Sequence, residues 1–266
     1  MRQEDADRVL VLESVSRLPA TSPDEVHQLV LGQTPADSDR IDRVGLSGVI
    51  RDLLLEGGMS NETEKFATEE TVLRVWASVA DQGAGGSETA PWKELASGLG
   101  VLSWGSKSEK LGAAWRLFEN DRGQMTIDTM SDFLRSQLGA LVSLSGDVPR
   151  PSTSRGPQEP AAEVARDLVR SSVASAAQEL AQRCYVDVTG GDEADGGVDF
   201  GEFGQWFNSG GRQLMPWLEV LDLTKWPGLS EELIAIHDAQ LEMLEEDEEQ
   251  GRDDDGEDEE AEAIQG

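Results

Sequence analysis

One cysteine is too few for a disulfide framework or a multi-cysteine zinc site, and Cys184 is the only one among the 266 residues of this chain. Two histidines, His27 and His237, leave little imidazole for metal or proton chemistry. Cationic residues are scarce as well: 22 lysines and arginines face 53 aspartates and glutamates, for a formal net charge of −31. A field of that sign repels a phosphate backbone or an anionic bilayer, so nucleic acid is not an expected partner. Long hydrophobic runs are missing, none approaching the roughly 20 residues that cross a bilayer, and no transmembrane segment is expected. The opening Met1-Arg2-Gln3 has neither a signal-peptide pattern nor the Met-Gly start of an N-myristoylation site. Cytoplasmic localisation is the resulting expectation. No phosphate-binding glycine loop with its lysine, HExxH pair or nucleophile elbow occurs, so no enzymatic activity is expected.

What is present is enough apolar material, 38% of residues, to build a core. Acidity is partly concentrated in a tail: residues 245–262 hold thirteen acidic residues and one arginine, Arg252, which leaves −19 for the rest. Such a stretch has too little to bury, and residues 245–266 read as a solvated, disordered acidic tail. Four prolines and no periodic apolar face mark residues 145–160 as a Pro/Ser-rich flexible insertion. Elsewhere the apolar spacing is helical, as in Val72, Val75, Trp76 and Val79, or Leu111, Ala114, Trp115 and Phe118. Helices are predicted over 5–17, 22–31, 46–55, 67–79, 91–102, 108–118 and 128–144, and after the insertion over 161–185, 200–208 and 231–245. Convincing alternating strands are absent. The recurring unit is helix, short polar loop, helix, laid down about four times, which predicts an all-α protein of paired units.

One loop carries chemistry. Residues 185–207 read YVDVTGGDEADGGVDFGEFGQWF. A hard cation such as Ca²⁺ takes six to eight oxygens, which a 12-residue loop supplies from alternate positions with a glycine turn and a closing bidentate glutamate. Gly196 falls at the turn, Val198 at the apolar pairing position and Glu202 at the bidentate one. Asp199, Asp195 and Glu193 take the other side-chain positions, and Gly191 lands on the first, where a carboxylate is expected. A second register begins at Asp187 and makes a longer loop. The candidate metal ligands are thus Asp187, Glu193, Asp195, Asp199 and Glu202.

A connector adds a family likeness. Residues 94–111 read ELASGLGVLSWGSKSEKL and run on into Gly112-Ala113-Ala114-Trp115-Arg116-Leu117-Phe118. This stretch resembles the EF-hand superfamily, specifically four-hand calcium sensors of the neuronal calcium sensor and calcineurin B type. There the second hand ends in a comparable GL-x-x-LS-x-G run, and EKL-x-x-A-F/W-x-L-F opens the third. The resemblance implies two lobes of paired EF-hands. It places an N-terminal helix over 1–21, a degenerate pair over 22–104, a third hand over 105–144, a fourth over 161–210 and a C-terminal helical segment over 211–244. It also implies one Ca²⁺, in the fourth hand, and an apolar groove for a protein partner in the form of an amphipathic helix.

The other loops depart from that pattern. In the third, residues 119–129, Thr129 replaces the closing glutamate. The second spans 14 residues from Asp81 to Glu94 with few carboxylates between its ends, and the first has Asp37, Asp39 and Asp42 but no acid at its close. These three are expected to hold no metal. Of seven tryptophans, Trp76, Trp115 and Trp206 read as core, while Trp217 and Trp226 lie past the last hand. Cys184 reads as a buried small hydrophobe. Two functions follow: a calcium-binding regulatory protein, or a scaffold or regulatory subunit that keeps the paired architecture without ion control.

Overall fold

A computed structural model describes residues 18, 21–56, 62–82, 88–144, 160–191 and 197–221. The expected helices at 5–17 and 231–245, the insertion over 145–159 and the acidic tail lie outside the described residues. Most of what is described is helical, with two small sheets, which makes the fold all-α. No helix among these residues is long and apolar enough to cross a membrane.

Local chemistry starts the helices. Helix α1 (Pro23–Gly32) opens on a reciprocal cap in which the Glu25 amide donates to Ser22 Oγ and Glu25 Oε2 accepts from the Ser22 amide at 2.7 Å. Strand β1 (Arg40–Asp42) and helix α2 (Arg43–Glu56) follow, then α3 (Glu62–Val79), β2 (Asp81–Gln82), β3 (Glu88–Pro91) and α4 (Trp92–Gly100). Helix α5 (Lys107–Phe118) repeats the reciprocal cap with Ser106 and Glu109. Beyond it come β4 (Gln124–Met125), α6 (Ile127–Leu144), α7 (Pro160–Thr189), β5 (Val198–Asp199) and α8 (Phe200–Trp206). The chain then makes a wide π-helical turn over Phe207–Gly211, a single turn over Arg212–Leu214 and a 3₁₀ stretch over Pro216–Leu221.

The strands, invisible as alternation because they are two to four residues long, pair the units. In one sheet β3 lies between β1 and β2, with Ile41 opposite Ala90; in the other β4 and β5 run antiparallel with Met125 opposite Val198. All four of these facing residues are fully buried. Each is followed by a helix whose first residues repeat one arrangement, a capping residue next in sequence and the third helical position four residues on. These cap and third-position residues are Asp42 and Gly45, Pro91 and Glu94, Thr126 and Thr129, and Asp199 and Glu202. The third-position amide donates to the cap side chain in every unit except the second, where proline offers no acceptor.

The sequence resemblance implies two lobes, whereas the buried cluster runs without a break from Leu18 to Leu221. Helix α4 of the first pair is tied to α6 of the second by a buried polar seam. Ser97 Oγ and Ser136 Oγ lie 2.7 Å apart, and Gln137 Nε2 donates to Ser97 Oγ at 2.6 Å. Gly98 lets α4 approach closely, since a Cβ there would stand 2.9 Å from Val75 Cγ1 and 3.4 Å from Ala140 Cβ. Trp115 packs edge-on against Phe133 at 5.6 Å and tilts against Phe203 at 5.3 Å. Trp76 and Cys184 are buried as expected, but Trp206 is only half-buried because its ring edge faces the end of α7. The chain after α8 closes the core: Met215, Leu218 and Leu221 are fully buried, and Lys107 Nζ donates to Glu219 Oε1 at 2.7 Å.

Two tests follow. Gly197 precedes β5 with φ +134°, and a Cβ there would lie 2.6 Å from Met125 O. Gly197→Ala is therefore expected to destabilise the protein by about 2–4 kcal/mol in urea unfolding, through strain in the β4–β5 approach. His27, 4% exposed with Nε2 unpartnered, has its pKa driven from 6.5 to about 4, by burial first and by Arg116 second, against the pull of Asp24. The folded state thus prefers the neutral ring, so the stability from His27 is complete above its unfolded pKa and is lost as pH falls through the window from 6.5 to about 4. Between pH 7 and pH 5 the unfolding free energy should drop about 2 kcal/mol more in the native protein than in His27→Leu, measured by denaturant titration.

Candidate functional site

The fourth loop leaves α7 through two glycines in the left-handed region, Gly190 (φ +70°) and Gly191 (φ +83°). Thr189 Oγ1 donates back to Tyr185 O and accepts from the Gly191 amide, which ends the helix. At its far side the loop enters β5 and then α8, where two candidate ligands meet. Asp199 caps α8 by accepting from the Glu202 amide at 2.8 Å, and Glu202 Oε2 accepts from the Asp199 amide at 2.9 Å. Both carboxylates thus sit on the positive end of a helix, ordered by their own backbone and near the solvent surface.

Asp187 is placed differently. It lies inside the last turn of α7, where Oδ2 accepts from Trp206 Nε1 at 3.1 Å and from Arg183 Nε at 3.0 Å. The indole hydrogen bond, with Arg183 adding to it, lowers its pKa below the ordinary aspartate value. Because the helix runs through Thr189, Asp187 belongs to the helix rather than to the loop, and it serves to pin α8 against α7. Glu193 and Asp195 lie outside the described residues. Among the described residues no group of three or more His, Cys, Asp or Glu is assembled as a metal-ligand set. The donors brought together, Asp199 and Glu202, are hard oxygens of the kind Ca²⁺ takes. Nearby, burial and then the charge of Asp187 push the Cys184 thiol up to about 12, which leaves it protonated and inert at neutral pH.

The first and third loops bond several of their described polar groups locally. In the third, Asn120 Oδ1 accepts from the amides of Arg122 and Gln124, and Thr129 Oγ1 accepts from the Thr126 amide at 3.0 Å. In the first, Ser38 Oγ bonds both the amide and the carbonyl of Arg40, and Asp39 O accepts from the Trp92 amide of the second unit. The connector that carries the family resemblance is held by Lys110, buried on α5, whose Nζ donates to Val101 O at 2.9 Å.

The second loop holds a feature that reading along the chain misses. Glu94, with a side chain 8% exposed, is gripped by Arg135 of α6, whose Nη2 and Nε donate to Oε1 at 2.6 Å and Oε2 at 3.0 Å. Arg40 binds Asp81 and Thr89, and Arg43 Nε donates to Glu88 Oε2 at 2.8 Å. Arg40, Asp81, Glu88, Glu94, Arg135 and Arg170 help to line a cleft of about 610 Å³ beside the N-terminal part of α7. Burial pushes the Glu94 carboxyl up and the two Arg135 hydrogen bonds draw it back, while the same contact raises Arg135. A glutamate 41 residues from its arginine has no sequence signal beyond its place four residues after Ala90.

No family model, curated protein or solved structure matches this chain.

Proposed function

We propose that the chain is a divergent EF-hand regulatory protein that binds one calcium ion through its fourth loop and acts by engaging a protein partner. The observation that carries this reading is the fourfold repeat of buried strand residue, cap and third helical position, of which only the fourth unit puts carboxylates at both cap and third position, Asp199 and Glu202. Glu193 and Asp195 complete the proposed ligand set from the same loop. When bound, calcium supplies a compact positive charge that offsets the repulsion among these carboxylates. Glu202 must exchange its bond to the Asp199 amide for coordination, which loosens the first turn of α8. Asp187 keeps the other end of α8 tied to α7 through Trp206, so a shift at Glu202 becomes a tilt of the short helix about that contact. Phe203 on this helix and Phe207 just after it reach into the same core as Met215, Leu218 and Leu221. Any such tilt therefore changes how firmly residues 215–221 cover the apolar surface that a partner's amphipathic helix would use.

A second reading is an EF-hand-derived scaffold or regulatory subunit without ion control. It is favoured by the engagement of Glu94 with Arg135 and by the self-satisfied third loop. Calorimetric titration with Ca²⁺ in the presence of physiological Mg²⁺, followed in parallel by tryptophan fluorescence, separates the two. Glu202→Gln keeps a side chain able to make the reciprocal cap, so the variant should fold normally while losing at least ~10-fold in calcium affinity. Absence of heat and fluorescence change in the native protein would establish the scaffold reading instead, and identical titrations for the variant would overturn the assignment of calcium to the fourth loop.

A further inference from the structure

The second loop ends as the fourth does. Ala90 and Val198 are the buried strand residues, and four positions later stand Glu94 and Glu202, each at the third position of its exit helix. Their partners differ. Glu202 is near the surface and turns back onto its own backbone. Glu94 is buried and both of its oxygens are taken by the planar fork of Arg135, an arrangement that satisfies a carboxylate and its charge together. Asp81 at the opening of the same loop is taken by Arg40, and Glu88 by Arg43. Thus three carboxylates of the second loop are each paired with a guanidinium group, and two of these pairs, Asp81 with Arg40 and Glu94 with Arg135, line one cleft, in a chain with more than twice as many acids as bases.

We infer that Arg135 is the resident cation of the second loop: its guanidinium holds Glu94 where a metal ion would otherwise be needed, so the first helix–loop–helix pair stays closed without an ion. The described carboxylates of this loop do not fit a metal, because binding one would require stripping the buried Glu94 of its bidentate partner and leaving Arg135 with only Asp132 of its own helix. Arg135 belongs to α6, the exit helix of the third unit, so the charge that closes the first pair comes from the second pair. This contact and the adjacent Ser97, Ser136 and Gln137 seam make one continuous polar joint between α4 and α6. The inference stands whether or not the fourth loop takes calcium.

Hydrogen exchange read by mass spectrometry on the full chain tests it. In the native protein, exchange over residues 88–100 should be the same in calcium and in chelator, whatever happens over 197–206. Arg135→Gln, which leaves Glu94 charged and alone, should speed exchange over 88–100 by about tenfold or more. The double variant Glu94→Gln with Arg135→Gln removes both charges and should return exchange to within about threefold of native. Should the single variant fail to fold, recovery of the folded protein in the double variant carries the same meaning. Calcium-dependent protection of 88–100 in the native protein, a single variant that exchanges like native, or a double variant as damaged as the single one would overturn the assignment. A calcium effect missing only at 197–206 would count against the fourth-loop reading and leave this one untouched.

Discussion

The fold depends on the pairing of strands too short to stand alone. Two to four residues of extended backbone expose amides and carbonyls that cannot be buried without partners, which β1 finds in β3 and β4 in β5 of the neighbouring unit, while β2 pairs with β3 within the second loop. Ile41 against Ala90 and Met125 against Val198 are the contacts that this pairing drives into the core. Once they are set, the directions of the exit helices follow, because the cap residue comes immediately after each strand residue. Gly197 shows how tight the approach is: its backbone passes so close to Met125 O that no side chain fits.

A second constraint is the excess of negative charge. Carboxylates gathered at loop ends repel one another, and several of those described have found something positive or polar to face. Asp42, Asp199 and Glu202 use helix N-terminal amides, Asp187 uses an indole and Arg183, and Asp81, Glu88 and Glu94 use arginines. These solutions differ in how easily a cation displaces them. A surface carboxylate on a backbone amide exchanges partners at little cost, whereas a buried carboxylate held bidentately resists because breaking that contact strands its charge. The difference between Glu202 and Glu94 is of this kind, and it separates the loop proposed to respond to an ion from the one proposed to be permanently closed.

Helix α6 links the two halves. Its N-terminus follows β4, and its middle carries Phe133 into the aromatic cluster with Trp115 and Phe203. Arg135, Ser136 and Gln137, the next residues along, meet α4. A rigid helix bonded at both places gives the β4–β5 sheet and the first pair a shared element, which is why the buried cluster shows no division between them.

Much of the architecture was legible in order along the chain. The Ser22-Pro23-Asp24-Glu25 and Ser106 to Glu109 starts are local chemistry, and the structure begins α1 and α5 there. The predicted 128–144 and 161–185 helices appear within a few residues as α6 and α7, because apolar spacing reports a helix wherever a core receives it. Runs of two to four residues have too little period to announce a strand, and nothing near Asp187 announces that α7 continues to Thr189, which places that candidate ligand in the last turn of the helix. Trp206 has the helical spacing of a core residue and lies half-buried at the edge, holding Asp187. The sequence by itself determined the helical class, the helix starts and the glycines that tight loops need, since these rest on interactions within a few residues. Only tertiary structure decided which carboxylates are already spoken for, as a charge finds its partner by distance in space, and Glu94 meets Arg135 across 41 residues of chain.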